Sequence, residues 1–102
     1  MAFPNVKTKP SNGTVIDRSG ATTGTSSQEV MASNESRTYL AFQNISDTTM
    51  FVNFGASATT DDNSLRVLSG GSITFNGGWI PSQAINVICS SASKKFVAKE
   101  GI

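Results

Sequence analysis

Between Arg37 and Gly55 the sequence RTYLAFQNISDTTMFVNFG alternates apolar and polar residues with a period of two, and this alternation restricts the fold more than any other feature. In the first run Leu40 and Phe42 fall on one face, with Tyr39, Ala41 and Gln43 on the other. In the second, Met50, Val52 and Phe54 share a face while Phe51 and Asn53 point away. A period of two is the pleat of a β-strand buried on one side. The connector from Asn44 to Thr49 is rich in residues that hydrogen-bond their own backbone and favour turns. The stretch therefore predicts an antiparallel hairpin. It carries four of the six Phe and Tyr rings between residues 37 and 96, so the rest of the chain is expected to pair with it and cover it.

Composition supports the same class. Hydrophobic residues make up 37% of the 102 and charged residues 15%, with Ser, Thr, Asn and Gly filling the difference. Such a chain forms helices poorly and suits strands and turns. Its length allows one domain with one modest core. The expected fold is all-β, a small antiparallel β-sandwich or jelly-roll-like barrel with an extended N-terminal arm.

Taken in order, residues 1–26 show almost no periodicity. Pro4, Pro10, Asn12-Gly13 and the Ser/Thr/Gly run from Ser19 to Ser27 interrupt regular structure, and only Val15 and Ile16 offer a strand anchor. This segment reads as a polar arm, either a free tail or one that adds a strand to a neighbouring subunit. The domain proper is expected over 27–102. Val30 and Met31 mark its first strand. Gly55 to Ser64 is a polar loop whose adjacent Asp61 and Asp62 suit a solvated turn better than a calcium loop. Leu65 to Leu68 and Ile73 to Phe75 read as strands around a tight turn at Gly70-Gly71. Trp79, after the turn at Gly77-Gly78, either caps the core or lies in a contact between subunits. Pro81 marks an edge or a corner. Ile85, Val87 and Cys89 face inward from the most apolar strand, followed by a last strand with Phe96 and Ala98 inward. Lys94, Lys95 and Lys99 beside that strand are read as protecting a solvated edge.

Several chemistries find no support. The chain has no histidine, which excludes Ser-His-Asp and Cys-His catalysis and histidine metal sites. Cys89 is its one cysteine, so an internal disulfide or a cysteine zinc site cannot form, and Cys89 reads as a small core residue. The glycine pairs belong to turns and not to a phosphate cradle. No catalytic residue, cofactor or metal is expected, and the protein is not expected to be an enzyme. A net charge of +1 argues against nucleic acid and anionic membrane as partners. No apolar run approaches a membrane span, and MAFPNVKTKP lacks the apolar core of a signal peptide.

Five local patterns remain: Gln43-Asn44-Ile45-Ser46, Phe51-Val52-Asn53-Phe54-Gly55, Leu68-Ser69-Gly70-Gly71-Ser72-Ile73-Thr74-Phe75, Gly77-Gly78-Trp79-Ile80-Pro81 and Phe96-Val97-Ala98-Lys99-Glu100-Gly101. Together and in this order they resemble small β-sandwich virion proteins of tailed bacteriophages, in particular capsid decoration (cement) proteins and their relatives. The likeness covers roughly residues 27–101. It implies a structural protein that is made in the host cytoplasm, binds the major capsid protein on the outer capsid surface and stabilises the shell. A homo-oligomer is expected, with a trimer preferred. Phe51, which faces away from Met50, Val52 and Phe54, and Trp79 are its candidate contacts, and Val15 and Ile16 anchor the arm. A neck, tail or fibre component is the alternative within the virion. A carbohydrate-binding β-sandwich is the alternative of another class, with Trp79 or Tyr39 as the sugar platform.

Overall fold

The computed structural model describes residues 13–102. Among them are nine strands: β1 (Val15–Asp17), β2 (Gly20–Thr23), β3 (Gln28–Met31), β4 (Tyr39–Asn44), β5 (Met50–Phe54), β6 (Leu65–Val67), β7 (Ser72–Asn76), β8 (Ile85–Cys89) and β9 (Ala92–Gly101). One sheet runs β1-β9-β4-β7, with β2 also on β9, and the other runs β3-β8-β5-β6. All pairings are antiparallel. From β2 onward the chain changes sheet at every connection except β5 to β6, which is the connectivity of a jelly roll.

The alternation placed the inward residues correctly. Leu40, Phe42, Met50, Val52, Ile85, Val87, Cys89, Phe96 and Ala98 are all buried, joined by Met31 and Val67. Phe42 and Phe96 stack with ring centroids 5.2 Å apart. Ile73 and Phe75 pack on this core but stay partly exposed, because β7 is an edge strand.

The predicted hairpin is corrected. β4 and β5 lie in opposite sheets, so Leu40 and Phe42 face Met50 and Val52 across the core instead of standing beside them. Asn44, fully buried, fixes this crossing. Its side-chain oxygen accepts from the backbone N–H and hydroxyl of Ser46, and its amide donates to the carbonyls of Thr48 (2.7 Å) and Val67 (2.9 Å). The β6–β7 pair read around Gly70-Gly71 is also a crossing between sheets. There the Asn44 backbone exchanges bonds with Gly70 and Gly71, and Gly70 takes a φ of 79°. One asparagine thus holds two crossings at the same end of the sandwich.

The arm divides. Residues 1–12 lie outside the described residues, while β1 and β2 pair with β9 of the same chain. β9 is ten residues long and β4 covers only one of its sides. The polar side chains between 13 and 23 serve that pairing. Ser19 Oγ receives the Ala98 N–H, and Thr22 Oγ1 receives the Lys94 N–H and donates to the Ser91 carbonyl. In consequence β9 is internal to its sheet, and the expectation that its lysines guard an edge is corrected. Lys94 and Lys99 instead make ion pairs with Asp47 (2.8 Å) and Asp17 (3.2 Å).

Candidate interaction surface

A sheet edge exposes unpaired N–H and C=O groups, so proteins shorten it, bulge it or charge it. Three of the four edges here carry such devices. β1 and β2 bring Asp17 and the neighbouring Arg18, with a register shift between Ala21 and Thr23. β3 has Glu29 and a shift beside it. β6 is only three residues long and centres on Arg66. β7 has none of these. Its five residues, Ser72-Ile73-Thr74-Phe75-Asn76, keep unbroken register with β4, and among the described residues no strand pairs with the other side. From Val67 to Ser93 the sequence contains no charged side chain.

Apolar side chains surround this edge. Phe75 meets Phe54 edge-on inside the sandwich (5.8 Å) and Trp79 edge-on outside it (5.9 Å), so an aromatic run leads from core to surface. Trp79 is 71% exposed, which removes it from the core cap considered above. Leu65, the first residue of β6, and Leu68, just after it in the crossing to β7, are 48% and 60% exposed.

The loop that carries Trp79 is held from below. Arg37, buried before β4, donates through Nη1 to the carbonyls of Pro81 (2.6 Å) and Gln83 (3.0 Å), and through Nη2 to Ala32 (2.8 Å). Its Nε meets Glu100 Oε1 at 2.9 Å, and Arg18 Nε meets Glu100 Oε2 at 2.9 Å. Burial pushes the Glu100 carboxyl up, but Arg37 and Arg18 outweigh it and hold its pKa below the ordinary 4.5. The chemistry of this cluster is structural: one carboxylate ties β9, the β1 edge and the Trp79 loop together.

A second feature lies on the outer face of the β1-β9-β4-β7 sheet. The cross-strand row Val15–Gly101–Tyr39–Asn76 has no side chain at its second position. A Cβ at Gly101 would stand 3.1 Å from Tyr39 Cβ, so glycine keeps the row open. The result is a groove of about 810 Å³, walled by Val15 and Tyr39 and edged by Thr38, Asn76 and Lys99. Close by, Asp17 is lowered to about 2 by the Ser19 hydroxyl and amide and by Lys99.

The residues expected at contacts do not form one site. Val15, 63% exposed, and half-buried Ile16 lie on the β1 edge. Trp79 lies beside β7 at the opposite edge. Phe51 sits on the outer face of β5, half-buried beneath the Arg66 guanidinium at 5.8 Å. Sequence reasoning missed Leu65 and Leu68 as surface residues, and it missed Glu100. The signal for Glu100 was present, since it continues the inward alternation of Phe96 and Ala98, and an inward carboxylate requires a cationic partner. Comparison of the chain with protein-family models, curated proteins and solved structures finds no match.

Proposed function

We propose that this chain is a structural protein of a tailed-phage particle, a decoration subunit that binds the major capsid protein on the outer shell and associates with copies of itself. The observation that carries the reading is the β7 edge. It is an uncharged, unprotected strand of unbroken register, bordered by exposed Trp79 and by exposed Leu68 in the crossing that leads into it, as expected of a surface covered in an assembly. The jelly roll supports it as a fold common among viral shell proteins, though also found in lectins. Two of the five motifs that resemble phage virion proteins fall on this surface. Leu68 to Phe75 forms the crossing and most of β7, and Gly77 to Pro81 forms the Trp79 loop. Weak contacts repeated by symmetry then add to a firm attachment.

Quantitative mass spectrometry of purified particles tests the reading. A copy number close to that of the major shell protein is the expected result. A small ring's worth of copies supports the neck, tail or fibre alternative, and absence from particles overturns the virion reading. A carbohydrate-binding role has its own observations in exposed Trp79 and in the groove that sets Tyr39 beside Thr38, Asn76 and Lys99. It requires glycan-array binding that Tyr39→Ala or Trp79→Ala abolishes.

A further inference from the structure

We infer that the partner of β7 is β7 of a second copy, paired antiparallel across a two-fold axis through Thr74. This rests on the reading of the β7 edge as an assembly surface, and it names the occupant. An antiparallel pair centred on Thr74 sets Thr74 opposite its own copy, Ile73 opposite Phe75 of the second copy, and Ser72 opposite Asn76 of the second copy. A two-fold perpendicular to the sheet keeps the inner faces on one side, as an isologous contact requires. Ile73 and Phe75, which point inward and remain partly exposed, then continue the apolar layer from one copy into the next. Ser72, Thr74 and Asn76 form the outer face of both copies. The strand is thus self-complementary in both of its faces.

Charge selects the same occupant. The absence of charged side chains from Val67 to Ser93 gives a charged peptide nothing to pair with. It also removes the like-charge repulsion that a two-fold axis imposes on any charged residue near it. The β1/β2, β3 and β6 edges, with Asp17, Glu29 and Arg66, lack this neutrality. The contact joins two four-stranded paths, each ordered β1-β9-β4-β7, into one continuous sheet. Trp79 of both copies, in edge-on contact with Phe75, lies beside the junction.

The test uses the purified chain and two opposite substitutions at one position. Thr74 is exposed on the outer face, so Thr74→Lys and Thr74→Asp leave the core untouched. Sedimentation equilibrium should give the wild type a mass of twice 10.7 kDa at high concentration. Each variant alone places like charges opposite each other across the axis and should raise the dissociation constant about fivefold or more. An equimolar mixture of the two should restore association, because only in a contact where residue 74 faces itself do the charges become complementary. A wild type that stays monomeric to its solubility limit overturns the inference. So does a trimer or other oligomer that both variants leave intact, or a mixture that fails to recover. Unchanged circular dichroism of each variant shows that the fold is retained. The copy number in particles is independent of all these results, so failure of the two-fold contact and failure of the virion reading are told apart.

Discussion

Glu100 is 1% exposed, and its carboxylate is retained in a small core because two guanidiniums reach it from different elements. Replacing it by Gln leaves buried Arg37 without its counter-charge and should destabilise the fold by about 3 kcal/mol at neutral pH. The pH dependence has a definite sign. The folded carboxyl titrates below its ordinary value of 4.5, so its contribution is complete above that pH and is lost as pH falls through the lower folded value. Urea unfolding measured from pH 7 downward should show wild-type stability falling below pH 4.5, with a shallower fall in Glu100→Gln. Asn44 offers a neutral counterpart. Asn44→Ala strands the Thr48 and Val67 carbonyls, both of which its amide serves, and should cost about 2–4 kcal/mol in the same assay. Asn44→Asp keeps the bonds accepted from Ser46 and loses the two donated ones, so it should recover little. Asn44 read only as the first residue of a turn, because local pattern does not show that this polar residue will be enclosed, whereas the place of Glu100 follows from the inward alternation of Phe96 and Ala98.

At the scale of elements, alternation identified the core strands and their inward faces but not their partners. Two amphipathic strands with a short connector can lie side by side in one sheet or face each other from two, and both arrangements bury the same residues. The choice here is made by groups distant in sequence. β4 pairs with β9 and β7, and Asn44 reaches Val67 across 23 residues. β1 and β2 were obscured for another reason: their hold on β9 is polar and leaves no apolar periodicity. Thr22 makes two of the bonds that attach β2 to the start of β9, and Thr22→Val removes both at nearly constant volume. A loss of about 1–2 kcal/mol is expected. Hydrogen exchange should locate it, with amides from residue 20 to 23 opening faster while the β4–β9 pairs keep their protection. Equal loosening of both would show that β2 is not a separable edge.

For the whole molecule, the all-β class followed from composition and period, whereas the position of the free edge depended on topology. Strands that share the same alternation, such as β7 and β8, end as an exposed edge and an internal strand. That difference puts Trp79, the chain's one tryptophan, in water at the margin of β7. Its fluorescence therefore reports on what covers the surface. In dilute protein the emission should be that of a hydrated indole, readily quenched by iodide. If copies pair through β7, raising the protein concentration should move the emission to shorter wavelength and reduce quenching, with the midpoint at the dissociation constant found by sedimentation. Thr74→Lys should shift that midpoint to higher concentration by the same factor, although it does not alter the indole. A sugar platform behaves differently: the emission responds to added glycan, is indifferent to protein concentration and is unaffected by Thr74→Lys. Emission that responds to neither would leave Trp79 uncovered in the isolated protein and overturn the β7–β7 contact.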